Sequence, residues 1–126
     1  MKPGAVPADV RRFILTSVPS VPFLEAVLLL RGEPSHAWDA ALLARRLYVP
    51  ERTALELLAQ LADAGVTATT EDKAGVRYAP RDDLGALLDD VAAAYAADLV
   101  AVTDLIHSRI DKRAQRFADA FRFRKE

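Results

Sequence analysis

Residues 39–79 constrain the fold more than any other part of the chain, because two helix patterns and two strand patterns follow one another there almost without linker. Asp39 is a residue type that caps helix N-termini, and Ala40, Leu43, Ala44 and Leu47 recur behind it on one helical face. After the turn Tyr48-Val49-Pro50, the proline suits the start of a second helix, where its missing donor is not needed. The spacing predicts that this helix turns Leu55, Leu58, Leu61 and Ala62 inward. Gly65 should stop it, since glycine enters the left-handed C-terminal position without a Cβ penalty. Residues 66–70 are rich in β-branched side chains, residues 76–79 read as a second short strand, and the two flank a polar, glycine-containing stretch at 71–75, which reads as a hairpin loop. His36-Ala37-Trp38 is expected to add a short strand. The fold class that follows is mainly α with a small β-hairpin (α+β), its core motif spanning residues 37–80.

Upstream, Pro3, Gly4 and Pro7 punctuate a flexible arm over residues 1–8. Asp9 opens a short helix carrying Val10, Phe13 and Ile14, and Ser20 with Pro22 opens a nearly all-apolar one. Phe23, Leu24, Val27, Leu28 and Leu30 are expected at the centre of the core, because a helix apolar on most faces must be enclosed. Residues 9–80 then form one domain. Downstream, Leu84, Leu88, Val91, Tyr95, Leu99, Val102 and Ile106 fall within an arc roughly 80° wide at 100° per residue, with Asp82, Asp83, Asp89, Asp90 and Asp104 opposite. The prediction is a single helix to Ser108, about 40 Å long at 1.5 Å per residue, too long for one small domain to cover. A second, basic and aromatic helix follows, with Ile110, Ala114, Phe117 and Phe121 in a stripe among Lys112, Arg113, Arg116, Arg122, Arg124 and Lys125. Bases interleaved with aromatics can mark a nucleic-acid or membrane-surface contact, but because opposite charge zones adjoin in the chain, its phenylalanines are expected to dock while its bases answer the upstream aspartates; Phe123 lies off the stripe. Residues 81–126 thus read as an appended dimerisation element.

Charge is zoned rather than extreme. The net charge is −1, but residues 82–106 hold six aspartates and no Lys or Arg, whereas residues 107–126 hold seven bases against three acids. Global charge therefore argues neither for nor against nucleic acid. At 52% hydrophobic the chain is too apolar to remain disordered. Apolar runs such as residues 26–30 are far short of a membrane span of roughly 20 residues, and the N-terminus lacks a signal-like apolar stretch. The chain reads as cytoplasmic, with no membrane partner.

Catalytic and metal chemistry find little to work with. No cysteine is present, and the two histidines, His36 and His107, lie far apart in sequence, so neither a metal nor a cofactor is expected. Asp82-Asp83 and Asp89-Asp90 are adjacent carboxylates, but neighbours on a helix point about 100° apart and cannot converge on one proton. Asp104, His107 and Ser108 lack the glycine-rich elbow of a nucleophilic triad. Nor is there a phosphate-cradling glycine loop. An enzyme is not expected.

The run Ala40-Ala41-Leu42-Leu43-Ala44-Arg45-Arg46-Leu47, then residues 50–65, then residues 66–70 and Gly75-Val76-Arg77-Tyr78, resembles the winged helix-turn-helix transcriptional regulators of bacteria, most closely the MarR-like and related groups. The resemblance covers about 45 of the 126 residues, mostly core positions. It implies a winged helix followed by the long C-terminal helix, with the second helix of the motif in the major groove and the wing beside the phosphates. The face opposite Leu55, Leu58 and Leu61 presents Arg52, Thr53, Glu56, Gln60 and Asp63. The DNA-binding set implied is Arg52, Thr53 and Gln60 on that face, Lys73 and Arg77 in the wing, and Arg45 and Arg46 at the end of the preceding helix. Members of the family often pair through a long helix, which implies a homodimer with Leu84, Leu88, Val91, Tyr95, Leu99, Val102 and Ile106 at its interface. Two carboxylates on the reading face oppose phosphate neutralisation, so two readings stand. One is a dimeric regulator on double-stranded DNA; the other is a module that binds a protein partner and no DNA.

Overall fold

The structure is a computed structural model that describes residues 6–125, the side chains at 113, 117 and 119–125 lying outside that description. It is mainly helical, 68% of it, with a small two-stranded antiparallel sheet. In chain order the elements are α1 (Ala8–Ser17), α2 (Val21–Gly32), α3 (Ala40–Leu47), α4 (Glu51–Asp63), β1 (Thr67–Thr69), β2 (Val76–Tyr78), α5 (Leu84–Ala97) and α6 (Leu99–Lys125). Of the arm expected over residues 1–8, residues 1–5 lie outside the described part, and Ala8 already opens α1. No single helix among the described residues is long and apolar enough to cross a membrane.

The chain divides into two compact units that cut across the expected boundary at residue 80. One joins residues 6–21 to residues 93–125, where α1 packs against α6. Val10, Phe13 and Ile14 on α1 and Val102 and Ile106 on α6 are all buried. The first helix therefore belongs with the C-terminal helix and not with residues 22–80. Sequence order hides this pairing, because an apolar face does not name the face that covers it.

The other unit, residues 22–92, holds the motif. Phe23, Leu24, Ala26, Val27 and Leu30 of α2 are buried as the all-apolar pattern requires, joined by Trp38, Leu43, Ala54, Leu57, Leu61, Val66, Leu88 and Val91. Arg31 Nε on α2 donates to Asp89 Oδ1 on α5 at 2.9 Å, an exposed pair of small energetic weight that engages one acid of the aspartate face.

The long helix is interrupted. Asp98 separates α5 from α6: its N–H closes the first helix on Ala94 O (2.9 Å) and its side chain caps the second by accepting from Ala101 N (3.0 Å). This is the behaviour of an N-cap aspartate, and the apolar spacing conceals it because the 4-3-4 rhythm continues through the break. Conversely, no break occurs at residues 108–110; α6 runs 27 residues, about 40 Å.

The interface expected on this stripe is largely interior. Leu88, Val91, Val102 and Ile106 are 0% exposed within the single chain, so they form its own core and are not free to meet a second copy. Leu84 and Tyr95 are half-buried, whereas Leu99 is 50% exposed. Among the described side chains, the large apolar residues that α6 leaves exposed are Leu99, Val100 and Ile110. Phe117, Phe121 and Phe123, with Arg113, Arg122, Arg124 and Lys125, fall outside the described side chains.

Candidate nucleic-acid interface

The α3–α4 pair is built by local rules. Asp39 caps α3 by accepting from Leu42 N at 2.8 Å. Tyr48 then turns left-handed (φ 57°, ψ 47°), and Pro50 starts α4 in extended conformation. At the far end Gly65 (φ 81°) lets its own N–H reach Ala62 O and Val66 N–H reach Leu61 O, both 3.0 Å, the paired bonds of a Schellman ending. Val66 enters the core and β1 begins.

The rotation of α4 differs from that expected. Ala54, Leu57 and Leu61 are buried, Leu58 is half-buried, and Leu55 and Ala62 are exposed, Leu55 by 59%. Leu55, Leu57, Leu58 and Leu61 spread around more than one face, so counting leucines leaves the phase of the helix undetermined. Packing against α3 selects the stripe that includes Ala54, where a small side chain permits close helix approach. Arg52, Glu56, Gln60 and Asp63 still point outward, Thr53 is half-buried, and Glu51, Leu55, Ala59 and Ala62 join the exposed surface.

The hairpin pairs Thr67 with Tyr78, Ala68 with Arg77 and Thr69 with Val76. A third segment is added by Trp38, which exchanges two backbone bonds with Val76 (2.7 and 2.9 Å). Gly75 makes this approach possible, because a Cβ there would stand 2.5 Å from Trp38 O. The loop is stitched by Thr70 and Asp72: Thr70 Oγ1 donates to Asp72 Oδ1 at 2.6 Å, and Ala74 N–H donates to the same oxygen at 3.0 Å. These bonds, the Thr70 hydroxyl first, hold the Asp72 carboxyl below its usual range. One acid of the loop is thus consumed in building it. Lys73 sits at its tip with φ 60°, and Arg77 lines a shallow groove with Ser35, Ala37, Thr70, Glu71 and Asp72.

Of the cations implied for DNA contact, Arg45, Arg52, Lys73 and Arg77 are exposed and carry no ion pair among the described residues. Arg46 must be set apart. It forms an ion pair with Glu33 and lies over the Trp38 ring, 5.3 Å from its centroid, where it serves the fold. The Arg46 hydrogen bond also lowers the Glu33 carboxyl below its ordinary range. His36 stands edge-on to the same indole at 5.0 Å, a structural contact. Among the described residues no group of three His, Cys, Asp or Glu side chains is arranged to hold a metal ion.

Beneath the hairpin, the indole Nε1 of Trp38, the hydroxyl of Thr67 and the phenol of Tyr78 are buried without hydrogen-bond partners among the described residues. Burial, then the nearby Asp89 charge, raises the Tyr78 phenol above its usual value near 10.0, partly countered by Arg31. A raised folded-state value gives a contribution that is complete below pH 10 and disappears as pH rises through the folded value. Stability is therefore expected to fall in alkali. Tyr78→Phe should flatten that slope at little cost near neutrality, since the deleted hydroxyl makes no bond. Urea titrations of both proteins at neutral and alkaline pH test this; equal slopes would refute it.

No protein-family model, curated protein or solved structure matches the chain.

Proposed function

We propose that this chain is a winged-helix transcriptional regulator that binds double-stranded DNA as a homodimer. The observation that carries the reading is the set of exposed cations without ion pairs, Arg45 at the end of α3, Arg52 on α4, and Lys73 and Arg77 in the hairpin. These sit on the elements that a winged helix turns toward duplex: α4 enters the major groove and the hairpin lies along the phosphates. Four neutralised phosphates per chain, eight per dimer, give a salt slope near −7, or about a ten-thousandfold loss of affinity from 50 to 200 mM salt. Fluorescence anisotropy with a mixed pool of labelled genomic duplexes at these two salt concentrations measures it. Lys73→Ala with Arg77→Ala, which removes four of the dimer's eight contacts, should roughly halve the slope. A slope that does not change would remove the wing from the interface.

A second reading is favoured by one observation, the surface of α4 itself. Leu55 is 59% exposed on a helix surface that also carries Glu51, Glu56 and Asp63, and an open apolar residue on an acidic surface suits a protein partner better than a phosphate backbone. Absence of duplex binding even at 50 mM salt would select that reading.

The homodimer is supported by α6, whose Leu99 and Ile110 lie eleven residues apart, three turns, on one exposed side. These residues replace the buried part of the expected interface as the surface that a second copy covers.

A further inference from the structure

We propose that Tyr48 is a DNA-backbone contact, its phenol hydroxyl donating to a phosphate oxygen between the positions served by Arg45 and Arg52. The inference deepens the DNA-binding reading and rests on it.

Tyr48 stands at the turn of the helix-turn-helix in a conformation that penalises a bulky L-residue. With φ 57° and ψ 47° it occupies the left-handed region, where helix endings usually place glycine or asparagine. The turn needs that backbone, because the Tyr48 N–H donates to Ala44 O and Val49 N–H follows to the same oxygen at 3.1 Å. It does not need the tyrosine side chain. The residue is 94% exposed, so its ring gains almost nothing from burial, and its hydroxyl meets no partner among the described residues. An aromatic kept where glycine fits better, and left in solvent, is explained by something outside the chain.

The surroundings say what kind of partner. Arg45 precedes it by three residues and Arg52 follows by four, both exposed and without ion pairs. A neutral hydroxyl donor flanked in sequence by two exposed arginines, neither with an ion pair among the described residues, suits a polyanion whose oxygens accept from such donors. Tyrosine is among the side chains that position a protein on a duplex through its phosphates. Because the phenol is uncharged, it releases no counterion, so its contribution has a signature that the arginines cannot share.

The test compares wild type, Tyr48→Phe, Tyr48→Gly and Arg52→Ala by anisotropy on the same duplex pool at 50 and 200 mM salt, with thermal melting of each. Tyr48→Phe should lose about a hundredfold in affinity, tenfold for the hydrogen bond to a charged group lost in each subunit of the dimer, with an unchanged salt slope. Arg52→Ala, changed in both subunits, should reduce the slope by about two. Tyr48→Gly should lose at least as much affinity as Tyr48→Phe while its melting temperature holds or rises. Wild-type affinity in both Tyr48 variants would overturn the assignment and leave the DNA reading intact. A lower melting temperature in Tyr48→Gly would also overturn it, by making the ring a packing element. Failure of the wild type itself to bind would overturn the assignment and the DNA reading together.

Discussion

Gly75→Ala should destabilise the protein by about 2–4 kcal/mol, more than an exposed loop glycine ordinarily commands. The added methyl would stand 2.5 Å from Trp38 O and 3.2 Å from Trp38 C, and both atoms are backbone. No rotamer change relieves such a contact, so the strand segment at Trp38 must move away from Val76. The two bonds that join them, 2.7 and 2.9 Å, are then lost or stretched, and the fully buried indole loses its seat. Trp38 is the only tryptophan in the chain, so its emission reports this region directly. Urea unfolding followed by that emission should show the loss as a shifted midpoint, with a red-shifted native spectrum if the segment detaches. Gly32→Ala is the control, because a Cβ there meets nothing within 4 Å. An equal effect from the two substitutions would show that the contact at Trp38 is not what makes Gly75 necessary.

Leu88→Glu and Leu99→Glu should behave oppositely, although the two positions share one apolar stripe in the sequence. Leu88 is 0% exposed, and a carboxylate forced there loses its hydration with no cation provided for it. The expected cost is at least about 4 kcal/mol, comparable with the entire stability of many small domains, so most molecules should unfold. Leu99 is 50% exposed, and a carboxylate there remains hydrated. Leu99→Glu with Ile110→Glu should leave the melting temperature nearly unchanged and convert a dimer to a monomer in light scattering. If Leu88→Glu instead stays folded and merely dissociates, the buried side of the stripe is an interface after all. A Leu99→Glu, Ile110→Glu protein that remains dimeric places the contact elsewhere.

The same pair shows how far the sequence could be read. The stripe from Leu84 to Ile106 is amphipathic, and the structure does bury one side of each helix it spans. Periodicity records that a face is covered; it carries no information about the identity of the cover. The cover of Val102 and Ile106 comes with α1, some ninety residues earlier in the chain, and that long-range pairing leaves no local trace. Asp98 was legible in principle, since Ala97-Asp98-Leu99 contains a capping residue, but its signal is outweighed by an apolar rhythm that runs on unbroken.

At the candidate interface the division is similar. Asp39, Gly65 and the loop 71–75 act through bonds within a few residues of themselves, so their roles could be read from residue type. Arg46 could not, because its partners Glu33 and Trp38 are brought to it by the loop before α3. Tyr48 was hidden for another reason: an aromatic next to a helix end suggests burial, and only its solvent exposure shows otherwise.

The sequence by itself determined the order of helices and strands, the cap of α3, the ending of α4 and the hairpin turn, and the residue types present at the proposed interface. These depend on backbone preferences and short-range hydrogen bonds that each segment carries with it. The tertiary structure alone decided the rotation of α4, the coupling of α1 to α6, and which cations and apolar residues remain free. Those outcomes depend on mutual burial, and a face becomes interior only when a distant segment of the chain arrives to exclude water from it.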